Sequence, residues 1–279
     1  MKRYNDLLKD YKEVFNDKES LRAFLFELCN EYDINLYMEK DNEADPRVIK
    51  RFEEGVKRLA NSEPLNYVLG YSYFYGYKMQ VNKNVLIPRF ETEELVGLIL
   101  SNIDEYYKDE KEICLADVGT GSGAIAIALK KEEEKLNIFA SDISKEAIEV
   151  AKKNAANNDA EVTFFCGSML DPLIENNIKL DILVSNPPYI KEDEVLESSV
   201  KDYEPHVALF GGEDGLKFYR IIFENAHKIV RENGMLFFEI GYDQKERLIK
   251  LAKEYFKEAK EIEVYKDLNG KNRMLMIRL

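Results

Sequence analysis

The residues best suited to chemistry close a short apolar run, DILVSNPPYI, spanning 181–190. Ile182, Leu183 and Val184 read as a buried strand. Asn186, Pro187, Pro188 and Tyr189 then end it in a turn, because the two prolines have no N–H to extend a sheet ladder. The side-chain oxygen of Asn186 and the backbone carbonyl of Pro187 can both aim at one NH₂ group, a donor of two hydrogens. Proline rigidity pre-positions the second carbonyl. Two acceptors on its hydrogens turn the nitrogen's lone pair away from them, toward an electrophile such as a methyl sulfonium. Such a site needs neither a metal nor a histidine base. The only two histidines, His206 and His227, have no Cys or His neighbour, so no metal site is expected.

A second motif, DVGTGSGAIAIAL (117–129), reads as strand, glycine loop and helix. Gly119 allows a tight turn, Gly121 lets a ligand approach the backbone, and Gly123 lies at the loop-to-helix junction, with Thr120 and Ser122 between them. Gly119, Gly121 and Ala124 also satisfy the dinucleotide pattern G-x-G-x-x-G/A. Asp142 ends the next strand, FASD, where a carboxylate can accept bonds from two ribose hydroxyls; its competing role is an N-cap for the following helix. These groups identify an adenosine without choosing between nicotinamide and S-adenosylmethionine. The NPPY turn makes that choice, since hydride transfer has no use for it.

Alternating elements must position both motifs. From Glu112 onward the chain predicts strands ICLADVG, NIFASD, VTFFCG, LDILVSN and GMLFFEIG. Helices fall over 123–131, 144–157, 214–231 and 244–258. EIEVYKDLNGKNRMLMIRL adds two strands around an Asn269-Gly270 turn. The result is a mostly parallel seven-stranded sheet with helices on both faces and one antiparallel strand at the end. The NPPY turn is expected beside the glycine loop, at the switch point of the sheet.

Before this region, Leu7, Leu8, Tyr11, Val14, Phe15, Leu21, Phe24, Leu25 and Leu28 recur at helical spacing, as does RVIKRFEEGVKRL over 47–59. Residues 1–62 are therefore expected to form a small helical domain, and 91–279 the α/β domain. Residues 63–90 between them form a connector with a hairpin, and a helix runs over 91–107. The connector's tyrosines suit either packing between domains or a partner surface.

The chain of 279 residues carries a net charge of -13, which argues against a protein that lives on nucleic acid, where phosphates demand a basic surface. No apolar run is long enough for a membrane span, and the charged N-terminus is unlike a signal peptide. Cys29, Cys114 and Cys166 contain no C-x-x-C pair and are expected to be buried free thiols, which fits a cytoplasmic protein.

The glycine motif, Asp142 and SNPPYI together resemble class I S-adenosylmethionine-dependent methyltransferases that modify planar NH₂ nitrogen. EPLNYVLG, FYGYKMQVNKNVLIPRFETEELV, EPHVALFGGEDGL and KDLNGKNRM are similar, more narrowly, to the peptide chain release factor glutamine-N5 methyltransferases. The similarity runs from about Glu63 to the C-terminus. It implies a Rossmann-like methyltransferase fold, S-adenosylmethionine as methyl donor, and a release factor as protein substrate, modified on the glutamine of its Gly-Gly-Gln loop. It implies that the helical domain helps to hold the factor; a monomer with no direct nucleic-acid or membrane partner is expected. Gly119, Thr120, Gly121, Ser122, Gly123, Asp142, Met169 and Asn186 would hold the cofactor. Asn186, Pro187, Pro188 and Tyr189 would hold the substrate amide and carry the reaction. Met169 stands where the family can place an aromatic residue under the adenine. Asn66 and Phe90 stand where the family often has Gln and Pro. Arg89 and Glu91 suit a local cap or a pocket wall, and the glycine-rich 204–215 loop suits a lid. N6-adenine methyltransferases of DNA or RNA use the same turn and are the main alternative.

Overall fold

The computed structural model describes residues 2–11 and 18–279. Val14 and Phe15 of the N-terminal pattern lie outside them. The chain divides into two compact units, one of residues Met1–Tyr71 with Glu197–Tyr203, the other of Ser72–Leu196 with Glu204–Leu279.

The first unit is helical: α1 (Tyr4–Tyr11), α2 (Lys18–Glu31), α3 (Leu36–Glu39), α4 (Pro46–Leu59) and α5 (Leu65–Leu69). Asp45 caps α4 by accepting the Arg47 N–H at 2.7 Å, and Pro46 opens the helix where no donor is needed. The apolar stripes of α2 and α4 meet at Phe24 and Phe52, whose rings stack at 5.6 Å. A Cβ at Gly55 would strike the Phe24 ring, so only glycine admits this approach. The unit's edge falls at Tyr71 rather than 62 because Val68 is buried in the helical core, with Leu65 and Leu69 packed against it. Residues 197–203 join the unit through Tyr203, whose hydroxyl donates to Asn61 O at 2.6 Å.

From Ser72 the second unit opens with a hairpin of β1 (Tyr71–Phe74) and β2 (Tyr77–Gln80). Tyr75 and Gly76 both take positive φ, as a two-residue type I′ hairpin turn requires. Phe74 and Met79 enter the core of the sheet unit, while Tyr73 stays exposed.

The remaining helices are α6 (Phe90–Tyr106), α7 (Ala124–Glu132), α8 (Lys145–Asn157), α9 (Asp171–Glu175), α10 (Ser198–Tyr203, of the first unit), α11 (Lys217–Ala226) and α12 (Lys245–Tyr255). The strands are β3 (Ile113–Val118), β4 (Leu136–Asp142), β5 (Val162–Cys166), β6 (Leu180–Ser185), β7 (Val230–Glu239), β8 (Glu261–Lys266) and β9 (Asn272–Arg278). They form one sheet in the order β5-β4-β3-β6-β7-β9-β8, parallel except for β9. Neighbours along a strand feed opposite faces. Leu115, Ile182 and Phe237 join one core, and Ala116, Leu183 and Phe238 the other. Both faces are covered, which is why these strands read as continuous apolar runs.

Two expectations differ from the structure. The helix expected over 214–231 spans only Lys217–Ala226, because Val230 starts β7 by pairing with Leu180, while Asp214 lies before the helix and accepts the Leu216 N–H. Of the thiols only Cys29 is buried, its pKa pushed up to about 11 by burial, whereas Cys166 is exposed. Cys166 lies at the end of β5, the edge strand of the sheet. Among the described residues, no helix is long and apolar enough to cross a membrane.

Candidate active site

Strand order brings the two motifs together. β3 lies between β4 and β6, so the glycine loop, Asp142 and the NPPY turn leave three adjacent strands at their C-terminal ends. This is the crevice where open α/β sheets bind ligands. One cavity there is lined by Gly119, Gly121, Asp142, Met169, Asn186 and Pro188, together with Val85, Leu86, Ser144, Pro205, Val207 and Ala208. A roomier hollow of about 860 Å³ lies at the opposite ends of the strands, around Glu112, Asn137 and Thr163. It is an open surface between solvated lysines and glutamates, and neither motif reaches it.

The glycine loop is tied down from two sides. Ser141 O accepts the N–H groups of Gly119 and Thr120, at 2.8 and 3.0 Å. Asp142 accepts Gly121 N–H at 2.9 Å on one oxygen and Ser144 N–H at 2.8 Å on the other. Ser144 itself caps α8 by accepting Ala147 N–H, so Asp142 is not the helix cap. Its acceptor positions, roughly four in all, are not all taken by these bonds. Burial raises its pKa, with the backbone donors of Ser144 and Gly121 acting in the other direction.

The three glycines do different work. Each has positive φ, which favours glycine. A Cβ at Gly119 or Gly121 would meet nothing within 4 Å and would project into open space, whereas one at Gly123 would press on Ala151 at 3.1 Å. Gly123 therefore serves helix packing. Thr120 and Ser122 are buried, with the Thr120 hydroxyl donated to Asp117 at 2.6 Å. Gly123, Thr120 and Ser122 do not line the cavity. Met169 does, at φ 45°, with its carbonyl accepting the Ser141 hydroxyl at 3.0 Å.

Asp117 is fully buried, and its pKa is pushed up to about 7 by that burial. Its Oδ1 reaches no donor at hydrogen-bonding distance; the Ala126 amide faces it and only partly offsets the cost. The open space beside Gly119 and Gly121 fits a ligand that approaches the backbone there.

In the NPPY turn, Asn186 and Pro188 line the cavity, and Pro187 is buried beneath them. The Tyr189 hydroxyl turns away into the protein and donates to Glu239 Oε1 at 3.2 Å. Asn186 Nδ2 donates to Thr92 Oγ1 at 3.4 Å, and the Thr92 hydroxyl donates to Glu239 Oε2 at 2.5 Å. Tyr219 OH donates to the Glu239 carbonyl at 2.7 Å. Glu239 and Thr92 escaped the sequence reading. The signals were present: Glu239 is a lone charge in the apolar strand GMLFFEIG, and Thr92 is a polar residue on the stripe Thr92, Leu95, Val96, Ile99 that α6 buries.

The 204–215 loop packs on the turn. Ile190 N–H donates to Leu209 O, and Gly211 N–H to Ile190 O. A Cβ at Gly211 would lie 2.5 Å from Pro188 O, and one at Gly215 2.4 Å from Tyr189 O. Both glycines thus permit a close approach of backbones, while Pro205, Val207 and Ala208 wall the cavity. Arg89 pairs with buried Glu204 at 2.5 Å, so it is bound to the start of this loop. Phe90 is exposed, and Glu91 is half-buried. Asn66 lies in the helical unit, where its Nδ2 donates to Tyr71 O at 3.3 Å.

Comparison with known proteins agrees with both units. Residues 2–70 match the model of the PrmC N-terminal domain, and 96–202 that of the methyltransferase small domain. The release factor glutamine methyltransferase of Bacillus cereus is 42% identical over 257 residues, covering 90% of each chain. That of Bacillus anthracis is 44% identical over 230 residues, covering 82% of this chain and 81% of its own. A methyltransferase crystal structure from Pyrococcus furiosus shares the fold at 16% identity, with a TM-score of 0.52 over 81% of this chain and 98% of that one.

Proposed function

The chain belongs to the release factor glutamine methyltransferase family, and on that premise we propose that it methylates the side-chain amide nitrogen of the glutamine in a release factor's Gly-Gly-Gln loop, in the cytoplasm. The methyl donor is S-adenosylmethionine, which supplies an electrophilic methyl on sulfur. Gly119 and Gly121 would give it room, Asp142 would accept its ribose hydroxyls, and Met169 would pack against the base through a polarizable thioether. Asn186 Oδ1 and the Pro187 carbonyl each accept one hydrogen of the glutamine NH₂. Held that way, the nitrogen would present its lone pair to the methyl group; the N–CH₃ bond would form as the S–CH₃ bond breaks, leaving the donor as a neutral thioether, and the nitrogen's extra proton would pass to solvent. Pro188 shapes the wall of the pocket, and Tyr189 anchors the turn through Glu239. The helical unit holds the factor.

The observation that carries this reading is the convergence of Gly119, Gly121, Asp142, Met169 and Asn186 on one cavity. A pocket with two acceptors rejects glutamate, which has no N–H and adds charge, and rejects asparagine, whose nitrogen falls one methylene short. The test is incubation with labelled methyl donor, a release factor carrying Gln, Glu or Asn in its loop, and unmodified DNA, followed by peptide mass mapping. Label confined to the Gln form is the expected result. Label in DNA adenine and none in the factor would sink the proposal in favour of a nucleic-acid methyltransferase.

A further inference from the structure

Glu239 is 2% exposed at the end of a central strand, and the reaction described above does not touch it. Its hydrogen bonds nevertheless reach both ends of the NPPY turn: Tyr189 directly, and Asn186 through Thr92. The direction of each bond follows from a count of hydrogens. An ionised carboxylate only accepts. Thr92 has a single hydroxyl hydrogen, and at 2.5 Å it is committed to Glu239 Oε2. The Thr92 oxygen can then only accept from Asn186, and the only hydrogens on that side chain are on Nδ2. The carbonyl end of the Asn186 amide is left for the cavity.

We propose that Glu239 and Thr92 are positioning residues for methyl transfer, a relay that fixes which end of the Asn186 amide faces the acceptor nitrogen. The proposal rests on the reading of Asn186 given above. An unheld amide can rotate by half a turn at little cost in shape, and its NH₂ would then oppose the substrate NH₂, donor against donor.

The relay has a defined sensitivity to protons. A protonated Glu239 donates to Thr92 Oγ1, the Thr92 hydrogen is freed to seek Asn186 Oδ1, and the amide turns over. Glu239 is faced by Thr92 and Glu91 of α6, Tyr189 of the turn, Tyr219 of α11 and Arg273 of β9. Burial raises its pKa above the ordinary 4.5, and the Thr92 hydroxyl, Arg273 and Tyr189 offset part of that rise. The methyl-transfer step therefore loses rate as the pH falls through the folded-state value, which burial raises.

The experiment measures single-turnover methyl transfer to a Gln-bearing release factor at saturating S-adenosylmethionine, from alkaline to acid pH, for the wild type, Thr92→Val and Thr92→Ser. Valine keeps the shape and removes the hydroxyl; calorimetric cofactor binding reports that the variant is folded. Thr92→Val is expected to lower the rate roughly 10- to 150-fold, the range for a hydrogen bond to a charged group. Its cofactor affinity should stay close to wild type and its acid limb should disappear. Thr92→Ser, which restores the hydroxyl, should recover most of the rate and the limb. A wild type that labels the factor beside a Thr92→Val protein equally fast, or with the same acid limb, overturns the relay alone. A serine variant as slow as the valine variant also overturns it. A wild type that leaves the factor unlabelled overturns the underlying reading and the relay with it.

Discussion

Replacing Asp142 by alanine removes more than a contact to the cofactor. The carboxylate holds Gly121 N–H at 2.9 Å and Ser144 N–H at 2.8 Å, one on each oxygen. A bond to a charged acceptor is worth about 1.5–3 kcal/mol. Neither bond is fully buried, so the pair together should cost about 2–3 kcal/mol of unfolding free energy. Loss of the ribose acceptors should cost a further ~1.5–3 kcal/mol of binding, or about 10- to 150-fold in affinity for S-adenosylmethionine. Asp142→Asn should be no milder, although its shape is the same. One end of its amide is an NH₂ group, which must face either Gly121 N–H or Ser144 N–H. Denaturant unfolding measures the first loss, and titration calorimetry measures the second. The two also diverge with pH. Asp142 ionises at about 3.8 in the unfolded chain and at a higher, burial-raised value in the folded one. The folded state thus binds the extra proton between those values, and stability from this group falls as pH rises through that window. Cofactor affinity runs the other way and falls as pH drops through the folded value, because the protonated group presents fewer acceptors. An Asp142→Asn protein that binds cofactor like the wild type, or an Asp142→Ala protein of undiminished stability, would refute the assignment.

Gly215→Ala should lower both turnover and melting temperature, since its Cβ would lie 2.4 Å from Tyr189 O at φ 74° and must displace the NPPY turn. Gly119→Ala, by contrast, meets no atom within 4 Å; it should cost only about 1–2 kcal/mol of stability through its left-handed backbone while weakening cofactor binding more than tenfold, as calorimetry would record. Arg89→Ala leaves buried Glu204 unpaired and should destabilise by about 1–3 kcal/mol, less than a fully buried pair because Arg89 is partly exposed. A double-mutant cycle with Glu204→Gln checks this, since the second substitution should return part of the loss.

The order of strands and helices, the glycine loop and the NPPY turn were all legible in the residues themselves. Apolar runs of strand length, glycines at fixed offsets and consecutive prolines act locally, so their consequences survive without knowledge of the fold. The seven-stranded sheet and the adjacency of β3 and β6 follow from the alternation of elements. Other features depend on groups far apart in the chain. Whether Gly123 faces a ligand or a helix depends on Ala151. The end of α11 at Ala226 depends on Leu180 claiming Val230 as its partner. The link from Asn186 through Thr92 to Glu239 joins residues from a turn, a helix and a strand. Sequence by itself determined which groups could do the chemistry, because bond types and backbone limits belong to each residue. Only the tertiary structure decided which way those groups point, because a hydrogen bond's direction depends on the partner that the fold brings to it.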